Sequence, residues 1–196
     1  AWWARHLNDG ESSTVRTTTT TTVDAGFTTL SVPTENRTST FETDLLAGLD
    51  STQEQPIEQD GETFLVAEST SAAWEEATPQ TAPLSAESTL RNERQFPITV
   101  ERIDYTVSIN EITLADGSHQ EGTTILPGAT ETVELPMVLD NSKMDQWWVT
   151  HVPEETSLLD VDATATINAA GQTRTVPLEM FSKNQTVETD LLDRDS

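Results

Sequence analysis

The strongest constraint on the fold is that the chain repeats itself. Trp2-Trp3-x-x-His6 returns as Trp147-Trp148-x-x-His151. Each copy runs on through a Thr-rich stretch, a glycine (Gly26, Gly171) and a Val-Pro pair (Val32-Pro33, Val176-Pro177). Both close on the same five residues, Glu42-Thr43-Asp44-Leu45-Leu46 and Glu188-Thr189-Asp190-Leu191-Leu192. The offset is about 145 residues and drifts by one or two, as loops of unequal length require, so the fold must hold two copies of one unit. In the second copy residues 62–146 precede the Trp pair; in the first only Ala1 does. The expected organisation is therefore the C-terminal half of a first unit over 1–46, an acidic linker over 47–61 and a complete second unit over 62–196. On this reading Ala1 falls inside a helix, and any membrane anchor belongs to a segment upstream of it.

In the complete unit the apolar pattern has mostly period two, the signature of half-buried strands. Phe64-Leu65-Val66 and Leu84 to Leu90 read as strands separated by Trp74 and a Pro-containing loop. Ile103, Tyr105, Val107 and Ile109 alternate on one face. Ile98 and Val100 have the other parity, which a bulge near Glu101-Arg102 would reconcile. Val133, Leu135, Met137 and Leu139 form another inward row, with Pro136 marking an edge strand or a bulge. Leu159, Val161, Ala163, Ala165 and Ile167 form the cleanest row. Met144, Trp147, Trp148 and His151 instead fall at i, i+3, i+4 and i+7, one face of a helix opened by a capping box at Ser142–Asp145 and closed by Pro153. The expected fold class is mainly β: Ig/fibronectin-like antiparallel β-sandwich units with one short α-helix each. In the partial copy Val15, Thr17, Thr19, Thr21 and Val23 occupy the matching inward row. Threonine replaces apolar residues there, which predicts a weaker copy.

Composition narrows the function classes. The chain has 34 acidic and 10 basic side chains and a formal net charge of −24, so nucleic acid is a poor partner. It has no Cys, hence no disulfide framework, thiolate metal site or cysteine nucleophile. No apolar run reaches the length of a membrane span, so no membrane contact by this chain itself is expected. Thirty-four Thr, two Lys (Lys143, Lys183) and few large hydrophobes resemble proteins of extreme halophiles, whose carboxylates hold water and monovalent cations under screening salt.

Candidate sites are few. His6 and His151 recur, yet lack convergent ligands or a nucleophile, and a His in the last helical turn is explained by the negative end of the helix dipole. Asp160-x-Asp162 near Glu154 and Glu155 has no counterpart around Arg16 and reads as a solvated strand face rather than a calcium cage. No Ser occupies a Gly-x-Ser-x-Gly elbow. In each Trp pair one ring is expected to fill the gap between helix and sheet while the other covers the rim. Thus no catalytic residue, cofactor or metal ligand is expected. Asn36-Arg-Thr38 and Asn184-Gln-Thr186 are N-glycosylation sequons, both shortly before Glu-Thr-Asp-Leu-Leu.

The stretch Leu90-Arg-Asn92-Glu-Arg-Gln-Phe96-Pro97-Ile98 is similar to the Asn-Pro-Asn-x-x-Pro segment of the late-embryogenesis-abundant type 2 family, whose unit is the water-stress/hypersensitive-response (WHy) domain. Tyr105-x-Val-x-Ile-Asn110-x-Ile, the Gly117 turn and Ile125-x-Pro127-Gly128 continue the likeness. Glu93 stands where the family has a proline. The Trp-Trp-x-x-His and Glu-Thr-Asp elements resemble those of tandem-unit haloarchaeal members. What the resemblance implies is a β-sandwich with one helix, no enzymatic activity, association with desiccation and osmotic stress, and display outside the cell on an N-terminal anchor. The rival expectation is a cell-envelope assembly or adhesion subunit, binding an envelope protein or itself through exposed strand edges.

Overall fold

The computed structural model describes residues 2–24 and 29–189. It opens with helix α1 (Trp2–Asn8) and the long strands β1 (Ser12–Asp24) and β2 (Thr29–Glu42). Then come β3 (Gln55–Gln59), β4 (Glu62–Trp74), β5 (Thr81–Arg91), β6 (Ile98–Ile109), β7 (Ile112–Ile125) and β8 (Thr130–Asp140). A 3-10 turn (Asn141–Lys143) leads into helix α2 (Met144–His151), followed by β9 (Thr156–Ala169), β10 (Gln172–Pro177) and β11 (Lys183–Glu188).

The protein is mainly β, and every strand pairing is antiparallel. One sheet has the order β3-β4-β5-β8; the other runs β10-β9-β6-β7, with β11 also on β9. The predicted rows build it. Val133, Leu135, Met137 and Leu139 are buried from one sheet, Leu159, Val161, Ala163, Ala165 and Ile167 from the other, and they share one apolar cluster. The register of β6 shifts between Val100 and Arg102 against both neighbours, so Ile98, Val100, Ile103, Val107 and Ile109 are all buried. Pro136 lies on β8 at a sheet edge, where its missing N–H breaks no ladder.

Three local expectations are corrected. The cap at 140–145 belongs to Asp140, whose side chain accepts from the Ser142 amide; Lys143 at the start of α2 makes no side-chain cap bond. Hydrogen bonding from the Ser142 hydroxyl, and then from its amide, holds the Asp140 carboxyl below the usual range. The 47–61 stretch holds more than a connector: it contains β3, and Leu49 and Ile57 are buried. Two large side chains in an otherwise polar segment suffice to tie it to β4. Trp74 ends β4 rather than interrupting two strands, and its side chain is held by Glu11.

In the first copy β1, among the described residues, pairs with β2 alone, as a two-stranded ribbon. Of the inward row predicted there, Val15 and Thr19 do not face a core but are exposed, because among the described residues no second sheet lies over them. The side chains of Thr17, Thr21 and Val23, the position of Gly26, and Asp190-Leu191-Leu192 lie outside the described residues. Among the described residues no helix is long and apolar enough to cross a membrane.

Candidate functional site

The residues shared by the two copies form the same clasp twice. His6 lies in the last turn of α1 and His151 ends α2, and both are completely buried. His6 Nδ1 lies 2.9 Å from Ser13 Oγ and Nε2 2.8 Å from Thr43 Oγ1. His151 Nδ1 lies 2.8 Å from Ser157 Oγ and Nε2 2.7 Å from Thr189 Oγ1. Each imidazole thus ties its helix to the strand that follows and to the Glu-Thr-Asp segment at the unit's end. The chain enters each strand through a left-handed glutamate, Glu11 (φ 58) or Glu155 (φ 53). The carbonyl of each accepts from the backbone N–H of Thr43 (3.0 Å) or Thr189 (2.9 Å).

Hydrogen-bond accounting fixes both imidazoles in the same neutral tautomer. The Thr43 hydroxyl donates to Glu11 Oε2 at 2.8 Å, so toward His6 it can only accept, and Nε2 carries the proton. Nδ1 then accepts from Ser13. In the second copy Ser157 Oγ accepts from Trp147 Nε1 (2.8 Å) and from Asn110 Nδ2 (3.0 Å), which fills both lone pairs. Its own proton goes to His151 Nδ1, leaving the ring proton on Nε2. Burial holds both rings below the ordinary 6.5, outweighing the opposite pull of Glu11 and Asp9 on His6 and of Glu155 on His151. This corrects the helix-dipole expectation: an uncharged imidazole is a strut, not a cation at a helix end.

Glu11 extends the clasp across the copies. Its carboxylate accepts at Oε2 also from the Leu45 amide (2.8 Å) and at Oε1 from Trp74 Nε1 (2.7 Å). Asn8 adds a two-point link to the Ala77 backbone, at 2.9 and 2.8 Å. The Trp pairs complete the joint. Trp3 packs against Trp147 with centroids 5.4 Å apart, and Trp2 meets Trp148 edge-on at 5.0 Å. One ring of each pair is buried and the other lies at the rim, as expected, but the positions swap. Trp3 and Trp147 are buried, Trp148 is half-buried and Trp2 is 38% exposed, although the repeat equates Trp2 with Trp147.

The sequons lie on exposed strand positions: Asn36 on β2, accepting from Thr18 Oγ1 at 2.9 Å, and Asn184 on β11 opposite Asp160. They are not equivalent, because the register that superimposes Glu42 on Glu188 places Asn184 over Thr38. Asp160 and Asp162 alternate on the outer face of β9, and among the described residues no group of three or more His, Cys, Asp or Glu converges for a metal. His119 lies on β7, 3.2 Å from Glu121.

Sequence reading missed Ser13, Ser157, Glu11 and Glu155, although Glu-Ser-Ser at 11–13 and Glu-Thr-Ser at 155–157 are a visible extension of the repeat. Asn92, quoted above only as a motif letter, is fully buried. It donates to the Phe96 and Ile125 carbonyls, both at 2.9 Å, and accepts from the Arg94 amide at 2.8 Å.

The sequence model of the family described as "Late embryogenesis abundant protein" matches residues 87–181. Among solved structures, the crystal structure of a protein from Archaeoglobus fulgidus is similar at 30% identity and a TM-score of 0.58, over 64% of this chain and 99% of that one. The solution structure of a protein from Arabidopsis thaliana shows 11% identity and a TM-score of 0.48, over 71% of this chain and 83% of that one. No curated protein sequence matches the chain.

Proposed function

We propose, from the premise that residues 87–181 belong to the late embryogenesis abundant protein family, that the chain is a non-enzymatic module protecting a halophile against desiccation and osmotic stress. Its unit is the WHy domain in tandem, as in haloarchaeal members, displayed outside the cell on a membrane anchor carried by other sequence. The observation that supports the mechanism most is where the charge lies. Glu11 is the one buried carboxylate among the described residues, although the chain carries 34 acidic side chains. Carboxylates and threonine hydroxyls turned to solvent hold water and monovalent cations around a folded sandwich, and salt screens their mutual repulsion.

Survival of a strain lacking the gene, after drying and after salt shock, tests the reading. Poorer survival than the parent is expected, with rescue by the intact gene; equal survival refutes it. The envelope-assembly reading, in which the chain joins another through a strand edge, is favoured by one observation: among the described residues β1 has a paired strand, β2, on one edge and none on the other.

A further inference from the structure

Ser157, buried where α2 meets β9, uses every hydrogen-bonding valence of its hydroxyl. Oγ accepts from Trp147 Nε1 at 2.8 Å and from Asn110 Nδ2 at 3.0 Å, and its proton goes to His151 Nδ1 at 2.8 Å. Two lone pairs take two donors, so a third finds no place. A protonated His151 is that third donor, because its Nδ1 then carries a hydrogen toward Ser157. Uptake of a proton therefore displaces either Trp147 or Asn110.

The surroundings decide which of the two yields. Trp147 is buried in the core, with its ring stacked on His151 at a centroid distance of 4.8 Å. Asn110 is half-buried and lines an open groove of about 300 Å³ together with Thr150 and Ser157. With Glu111 it forms the tight turn from β6 to β7 (φ 48 and 65). The other hydrogen of Nδ2 rests on Thr150 Oγ1 at 3.0 Å. The Asn110 backbone N–H and Oδ1 hold the Leu158 carbonyl and amide, each at 2.9 Å. The Asn110 amide can therefore leave Ser157 for water while the turn stays seated, whereas the Trp147 indole has only the core around it.

The other groups around the ring do not remove this conflict. Nε2 donates to Thr189 Oγ1 in both protonation states. The carboxylates on the elements packed about His151 are Asp145 on α2, Glu154 and Glu155 in the turn after it, Glu188 on β11 and Glu111 in the β6–β7 turn. Burial opposes the proton most strongly, while Glu155 and the Thr156 carbonyl favour it. None of them provides Ser157 with a third lone pair.

We infer that Asn110, Ser157 and His151 form an acid-operated latch: a proton on His151 drives the Asn110 amide off Ser157 and unfastens the side-chain link between the β6–β7 turn and the buried start of β9, while the sandwich stays folded. Asn110 is thus the residue that keeps His151 neutral, by filling the last acceptor site of its partner. All three belong to the complete unit, and the latch is independent of both the stress-protection and the envelope-assembly readings.

The test is a proton titration of the full chain, labelled with nitrogen-15, in high salt. Imidazole nitrogen spectra follow each ring, and a His151→Gln variant identifies the His151 signals. In the parent the Asn110 side-chain amide resonances should shift with the same midpoint as His151, while the backbone amides of β9 and β6 keep their folded dispersion. Asn110→Gly, which suits the left-handed turn, frees a lone pair on Ser157 for the imidazolium. It should raise the His151 midpoint by about one pH unit, about a tenfold gain in proton affinity. Thr150→Val removes the other acceptor of the same amide but leaves Ser157 filled, so the His151 midpoint should stay where it is in the parent. An Asn110 amide that ignores the His151 titration would overturn the inference, as would an unchanged or lowered midpoint in Asn110→Gly. Equal rises in Asn110→Gly and Thr150→Val would also overturn it, since they would trace the effect to hydration of the turn. So would loss of the whole folded spectrum at the His151 midpoint, because the latch would then not open separately from the core.

Discussion

Replacing Ser157 with alanine tests the clasp most directly, because one hydroxyl holds three side chains there. Ser157 Oγ bonds Trp147 Nε1 and His151 Nδ1, both at 2.8 Å, and Asn110 Nδ2 at 3.0 Å. Asn110 keeps Thr150 and both backbone contacts to Leu158 after the change. Trp147 and His151 keep nothing at those atoms, and both residues are essentially buried. Two orphaned buried polar atoms at about 1–3 kcal/mol each give an expected loss of about 2–6 kcal/mol. Ser13→Ala provides the internal control, since the bond it breaks is the one to His6 Nδ1. One orphan gives about 1–3 kcal/mol on the same scale, half the loss expected for Ser157→Ala. The assay is urea unfolding at fixed high salt and a pH above the imidazole range, followed by tryptophan emission and far-UV dichroism. The m-values should be unchanged, so that midpoint shifts report stability. Equal losses for the two variants, or a loss below about 1 kcal/mol for Ser157→Ala, would refute the accounting that also fixes the tautomers.

Stability in high salt should fall as pH drops from about 7 toward 5.5. Both buried imidazoles titrate below the unfolded value of 6.5, so their contribution is complete above 6.5 and is lost as pH falls through the folded values. A His151→Gln variant should show a flatter unfolding-midpoint profile over that range. Trp147→Ala should cost about 3–5 kcal/mol in urea unfolding, while Trp2→Ala, at an open rim, should cost about 1 kcal/mol or less. In a far-UV dichroism titration the chain should lose structure as salt is withdrawn, and full folding at low salt would remove the halophile reading. Asn92→Asp should destabilise more than Asn92→Ala at neutral pH, because a carboxylate would face the Phe96 and Ile125 carbonyls that now accept from Nδ2. Urea midpoints that rank the two the other way would contradict that geometry.

What the sequence disclosed about the fold was periodicity. Alternation placed the rows of β6, β8 and β9, and the parity break at Glu101-Arg102 located a bulge, because a shared core leaves each strand one admissible face. The hydrogen-bonded part of the clasp was illegible for a different reason. Ser13, Thr43 and Glu11 are spread over 33 positions, and His6 meets them only because β1 and β2 fold back on each other. Polar residues that pair across such distances leave no periodic trace, and a Ser or Glu in a loop otherwise looks solvated. The inward row of β1 failed by the opposite route. Its pattern is right for a core, but pattern alone does not say whether an opposing sheet is present to face it.

The tryptophans join these two lessons. Repeat logic makes Trp2 the equivalent of Trp147, and packing makes it the opposite, exposed where the other is buried. Their helices are locally alike, each with a clasped histidine in its last turn, so the difference cannot arise within the motif. It arises from what lies above it. Trp147 sits under the two sheets of the second unit, and its indole N–H reaches Ser157. Trp2 sits at the foot of what is, among the described residues, a two-stranded ribbon, beside an open groove. The half-unit is therefore held to the complete one by its own end of the motif, through Trp3, Glu11 and Asn8.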